Sequence, residues 1–115
     1  MWLCITDQDG PLFFNLDVRQ DIRFVSVRHL ETTLLPSRPH LAGLNFGDPD
    51  DLLLVLIGPG HADFEIVLSL PPGPDQEKNM TLVQTALRHG LENGKRLLDL
   101  DKLLEKAREG FQHRN

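Results

Sequence analysis

Residues 80–104, MTLVQTALRHGLENGKRLLDLDKLL, admit two readings, and the choice between them decides the architecture. At helical spacing, Met80, Val83, Leu87 and Leu91 recur every three or four residues, with Ala86 and Gly90 beside them, as on the buried stripe of an amphipathic helix. As strands, Asn93-Gly94 is the strongest two-residue hairpin signal, because both residues accept the positive φ angles of the turn, and Ala86-Leu87 and Leu97-Leu98 flank it. Periodicity alone mildly favours the helix. Just downstream, Asp99 or Asp101 supplies an N-cap carboxylate. Leu100, Leu103, Leu104 and Ala107 then line one face of a closing helix that Gly110 stops.

Upstream, the first half reads as strands. Trp2 to Thr6 and Leu12 to Leu16 are apolar runs around Asp7-Gln8-Asp9-Gly10-Pro11, and Asp-Gly there predicts a β-hairpin. Ile22 to Leu30 predicts a third strand, whose alternation breaks at Phe24-Val25 in the manner of a bulge or of burial on both faces. Pro36, Pro39, Gly43, Gly47 and Pro49 make Leu35 to Asp51 largely loop. Asp51 to Ile57 is apolar on both faces and predicts a strand covered on both sides, which Gly58-Pro59-Gly60 ends in a turn. Phe64, Ile66, Leu68 and Leu70 alternate with period two as a further strand. Pro71-Pro72-Gly73-Pro74 stops it, and Asp75 to Asn79 reads as a solvated linker. The expected core is Leu54, Leu56, Phe64, Ile66, Leu68, Leu97 and Leu100.

Composition bounds the function. With 115 residues the chain is expected to form a single domain, 1–115, with enough length to bury a core without staples. Its net charge of −5 argues against a nucleic-acid or anionic-membrane partner, since both recruit clustered Lys and Arg. Cys4 stands alone, so no intrachain disulfide forms, and its expected place is inside the first strand. The opening residues Met1 to Ile5 meet Asp7 and Asp9 before an apolar targeting segment can form, and the apolar run Leu52 to Ile57 is far too short to span a bilayer. The expectation is a cytoplasmic protein without membrane insertion.

Chemistry-bearing motifs are absent from the pattern. Gly58-Pro59-Gly60 is followed by a strand and not by a helix N-terminus, so it is a turn and no dinucleotide cradle. Asp7, Asp9 and Gly10 lack the further acidic ligands of a calcium loop. The histidines, at 29, 40, 61, 89 and 113, show no metal-ligand spacing. Asp48, Asp50 and Asp51 read as a solvated loop tip. The expectation is no enzyme, no metal and no cofactor.

Three stretches, in order along the chain, resemble the chemotaxis coupling protein family, the CheW-like domain. The first is Leu12-Phe13-Phe14-Asn15-Leu16-Asp17-Val18-Arg19-Gln20-Asp21-Ile22-Arg23, in which Gln20-Asp21-Ile22-Arg23 fills the family's Val-x-Glu-Ile/Val slot. The second is Leu35-Pro36-Ser37-Arg38-Pro39-His40-Leu41-Ala42-Gly43-Leu44-Asn45-Phe46, similar to a Pro-x-x-Pro segment running into a Gly-hydrophobic-x-Asn turn. The family follows that turn with an arginine; here Gly47-Asp48 follows Phe46 directly. The third, Asn93 to Leu104, resembles a closing hairpin, last strand and helix start.

The resemblance implies a mainly β fold of two small packed β-barrels of the Src-homology-3 type, one of them short of a strand, with a C-terminal helix. It turns Asn93-Gly94 into a hairpin in place of the helix. It also implies an adaptor that couples the regulatory domain of a sensor histidine kinase to chemoreceptors. Val18, Gln20, Asp21, Ile22 and Arg23 would form the docking surface, with Leu44 and Phe46 close by. The competing expectation, drawn from charge, is an acidic inhibitor or immunity-type protein that covers a basic site through Asp48, Asp50 and Asp51.

Overall fold

The computed structural model describes residues 1–7, 9–18, 21–33, 36, 43, 45–58 and 64–105. In chain order these form β1 (Trp2–Asp7), β2 (Gly10–Asn15), a 3-10 turn (Leu16–Val18), β3 (Asp21–Ser26), α1 (Val27–Thr33), β4 (Leu52–Ile57), β5 (Phe64–Leu70), α2 (Gln76–Glu92) and β6 (Leu97–Asp99). Residues 100–105 are helical, α3. The fold is mainly β, with two three-stranded sheets ordered β2-β1-β6 and β3-β4-β5. Both sheets are open, and no closed barrel forms among the described residues. The chain separates into two compact units, Met1–Arg19 with Glu77–Asn115, and Gln20–Gln76.

In the first unit, β1 and β2 form the expected antiparallel hairpin. The strands run further into the turn than their apolar runs indicate: Asp7 pairs with Gly10, leaving a two-residue connection. Gly10 opens β2 at φ 118°, a conformation that a side chain resists. Alternation sorts this sheet into two faces. Leu3, Phe14 and Leu98 share one, and Leu3 and Leu98 are buried; Trp2, Phe13 and Leu97 share the other and remain 44%, 56% and 45% exposed. Leu97 therefore leaves the expected core, and its neighbour Leu98 takes the buried place.

The ambiguous stretch is a helix. Val83, Leu87 and Gly90 form the buried stripe of α2, and Met1 lies so close over Gly90 that a Cβ there would meet its sulfur at 2.8 Å. Asn93-Gly94 is the helix's C-cap and makes no hairpin. Gly94 adopts φ 64°, and Lys95 N–H donates to Gly90 O at 2.8 Å, the six-to-one bond of a Schellman ending. The helix also begins earlier than expected, since Gln76 to Asn79 form its first turn and not a linker. Pro74 just before it and Glu77 at its start suit a helix N-terminus. After the cap, β6 pairs parallel with β1, Leu98 beside Leu3. Asp99 then caps α3, its Oδ1 accepting Lys102 N–H at 3.2 Å, and Leu100 is fully buried. The stop expected at Gly110 lies outside the described residues.

In the second unit, β4 is the central strand and is covered on both faces, as its composition predicts. Leu53, Val55 and Ile57 join Val25, Val27 and Leu30 in one cluster, with Phe46, Phe64 and Ile66 packed partly buried against it; Leu54 and Leu56 are buried on the opposite face. Phe64 and Ile66, in the first half of β5, are thus less buried than expected, whereas Leu68 is buried as expected, with Val67 and Leu70 beside it. The expected strand from Ile22 to Leu30 ends at Ser26. There the Ser26 Oγ accepts His29 N–H at 3.0 Å, an N-cap that starts α1, and the helix buries Val27 and Leu30 one turn apart. The β3/β4 register is unbroken, so no bulge falls at Phe24-Val25. The irregularity sits in β5, where Leu54 faces Leu68 and Val55 faces Ile66, leaving Val67 as the extra residue. The turn expected at Gly58-Pro59-Gly60 runs into residues outside the description. No helix among the described residues is long and apolar enough to cross a membrane.

Candidate functional site

β3 carries three of the residues expected in a docking surface, and its backbone decides what they offer. Val27 N–H donates to Asp51 O at 3.0 Å, which continues the β3/β4 ladder. Strand alternation then turns the amides of Asp21, Arg23 and Val25 toward β4 and those of Ile22 and Phe24 to the outer edge. That edge pairs with no strand among the described residues. Asp21 partly closes it: its Oδ1 accepts Ile22 N–H at 2.8 Å, and its Oδ2 lies 3.3 Å from Arg23 Nε. Both side chains remain about half exposed, so the edge presents a short charged rim beside half-buried Ile22 and Phe24.

The structure does not gather all the expected residues equally. Asp21, Ile22 and Arg23 lie consecutively on β3. Phe46 seats on the cluster that contains Val25, so the aromatic supports the sheet from its core side and does not stand free as an anchor. Val18 ends the 3-10 turn, with its side chain outside the described residues, where Gln20 and Leu44 also lie.

Beside this edge, Arg23, Val25, His29 and Thr33 line an open cavity of about 250 Å³. Positions 23 and 25 share one face of a strand, while 29 and 33 share one face of a helix. The Thr33 hydroxyl donates to His29 O at 2.6 Å. Sequence reasoning missed His29 and Thr33 because residues 27–30 read as strand; Ser26 as an N-cap is the signal that reveals the helical spacing.

Other polar groups are used locally. Asp51 Oδ2 accepts Asp48 N–H within this loop at 3.1 Å, and Asp50 pairs with Arg28 of α1 at 3.5 Å, both side chains remaining exposed. The Cys4 thiol is pushed above its ordinary value by desolvation first, and then by the negative charges of Asp99 and Asp101. No group of three or more His, Cys, Asp and Glu side chains is placed to hold a metal among the described residues.

No family profile, curated protein or solved structure matches the chain. The first stretch that resembles the chemotaxis coupling family spans β2, the 3-10 turn and the start of β3. The third forms a helix cap and a parallel strand where that family closes with a hairpin.

Proposed function

We propose that the chain is a non-enzymatic adaptor that docks a protein partner along the outer edge of β3. The observation that carries this is the arrangement at Asp21, Ile22 and Arg23: a strand edge with no partner strand among the described residues, half-buried apolar side chains and one charge of each sign. In such a surface the apolar centre supplies most of the affinity, while the charged rim sets register and partner choice. Phe46 holds β3 from behind. In this reading the two three-stranded sheets stand where the chemotaxis coupling family has two small barrels. The partner follows from the resemblance of residues 12–23 alone: the regulatory domain of a sensor histidine kinase or the tip of a chemoreceptor, met in the cytoplasm. The acidic-inhibitor reading rests on the net charge of −5 and on the cluster at Asp48, Asp50 and Asp51, of which Asp50 keeps its side chain largely exposed beside Arg28.

The test is a calorimetric titration of the chain with a kinase regulatory domain and, separately, with a receptor tip. Asp21→Lys removes the Ile22 cap and reverses the rim charge. It is expected to weaken binding by roughly 1–3 kcal/mol, mostly through faster dissociation, while the circular dichroism spectrum stays unchanged. Equal binding by the parent and the folded variant sinks the β3 surface. No binding to either protein sinks the chemotaxis assignment.

A further inference from the structure

In the unit Gln20–Gln76, two donor side chains face one cavity without an acceptor. Arg23 sits opposite Val55 in the β3/β4 register, and Val55 clusters with Val25 and with Val27 and Leu30 of α1. The side chains at 23 and 25 therefore stand on the face of the sheet that α1 covers. From the helix, His29 and Thr33, one turn apart, line the other side of the cavity of about 250 Å³. Val25 is buried whereas Arg23 and His29 are exposed, so the apolar lining lies deep and the nitrogen donors lie at the mouth.

The polar lining is unmatched. Asp21 Oδ1 accepts Ile22 N–H, which leaves Oδ2 to meet the guanidinium at Nε, 3.3 Å away. A guanidinium carries its donors in a rigid fork, and among the described residues no acceptor takes a hydrogen bond from the two Nη groups of Arg23. The His29 imidazole also has no hydrogen-bond or ionic partner among them, although one ring nitrogen donates in either tautomer. The Thr33 hydroxyl hydrogen goes to His29 O at 2.6 Å, so Thr33 brings an acceptor and no further donor. The described lining holds no acidic side chain, in a chain with 17 Asp and Glu against 12 Lys and Arg.

We propose that this cavity binds the carboxylate of a small aliphatic acid. The planar Nη edge of Arg23 matches the two carboxylate oxygens, the His29 N–H adds a further bond, and a short hydrocarbon tail lies against Val25. The volume sits just below the roughly 300–1,000 Å³ of sites for drug-sized ligands, which suits a molecule of a few carbons. Charge selects a monoanion. The ligand meets one guanidinium that Asp21 already offsets in part, so a phosphate dianion would keep uncompensated charge in a chain of net −5. Because the mouth is open and Arg23 half exposed, the dissociation constant is roughly millimolar. The site lies on the α1 face of β3 and needs no protein partner, so it stands independently of docking at the strand edge.

Proton–nitrogen correlation spectra of the full chain test this, with chloride exchanged for butyrate at constant ionic strength. Saturable shifts are expected at the amides of Arg23, Val25, His29 and Thr33, and inorganic phosphate should bind more weakly. No saturation by about 50 mM butyrate, saturation only at other elements, or tighter binding of phosphate overturns the proposal. Arg23→Gln is expected to weaken butyrate binding about tenfold or more, since charge-assisted bonds are lost. Arg28→Gln, on the same helix as His29 but outside the lining, should leave the constant unchanged. Equal weakening by these two variants would mean attraction by surface charge alone and overturns the site. Circular dichroism melts establish that each variant is folded. If Arg23→Gln fails to fold, His29→Ala decides, since that side chain is exposed and outside the core cluster. It should weaken binding severalfold, and binding at the parent's strength overturns the proposal.

Discussion

Lys95 N–H reaches back to Gly90 O at 2.8 Å, and this bond closes the carboxyl end of α2 around Gly94. It satisfies a carbonyl that the end of a helix otherwise leaves without a partner. Because the closure needs φ 64° at residue 94, the position tests the helix ending directly.

Gly94→Ala is expected to destabilise the protein by about 1 kcal/mol, and Gly94→Asn by less, since Asn tolerates the left-handed region better. A Cβ at Gly94 meets nothing within 4 Å, so the cost is conformational and not a clash. Urea denaturation of the three proteins measures it. Equal stability would mean that the chain does not turn here as a helix cap.

The two side-chain caps should behave alike. Ser26→Ala removes the acceptor for His29 N–H, and Asp99→Ala removes that for Lys102 N–H. Each loss is expected to cost about 1 kcal/mol in chemical denaturation. Asn at either position should retain most of the stability, because its side-chain oxygen replaces the lost acceptor.

Burial ranks two core substitutions that the sequence left equal. Leu100 is fully buried, so Leu100→Ala should cost roughly 2–5 kcal/mol through lost apolar burial and the cavity left behind. Ile66 packs only partly buried on the edge strand, so Ile66→Ala should cost less, about 1–2 kcal/mol. Thermal melts that reversed this order would place the core elsewhere.

Cys4 carries a pH dependence. Desolvation, then Asp99 and Asp101, raise its thiol above the ordinary value, so the folded chain holds this proton more tightly than the unfolded chain does. Its contribution to stability is therefore complete below the ordinary thiol range and is lost as pH rises through the raised value. Stability should fall on the alkaline side in the parent and fall less in Cys4→Ala. Thiol reagents should also react with Cys4 more slowly in the native than in the urea-unfolded protein, and Asp101→Asn should narrow that difference.

Of the candidate site, Ile22 and Arg23 were legible as neighbours on one strand, because branched and aromatic residues mark a strand locally; Asp21 joins that strand only in the structure. The packing of Phe46 against the core was not legible. An aromatic before an acidic loop reads equally as an exposed anchor or as a cover for the core, and only its contact with the Val25 cluster separates the two. His29 and Thr33 stayed hidden for a related reason. The apolar and branched residues at 22–27 look continuous, and a single serine hydroxyl turns strand into helix at Ser26.

The sequence by itself determined the β1–β2 hairpin, the two-sided burial of β4 and a carboxylate cap at Asp99 or Asp101, since turn chemistry, hydrophobic alternation and capping act over a few residues; the structure chose Asp99. Only the tertiary structure decided the role of Asn93-Gly94. The same positive φ that a hairpin turn requires also ends a helix, so the local chemistry is degenerate. What removes the degeneracy is contact between distant parts of the chain: β6 beside β1, and Thr6 N–H on the Asp101 carboxylate, 95 residues away. The helix itself is held from the other end of the chain, since Met1 lies against Gly90 of α2 so closely that no Cβ fits between them.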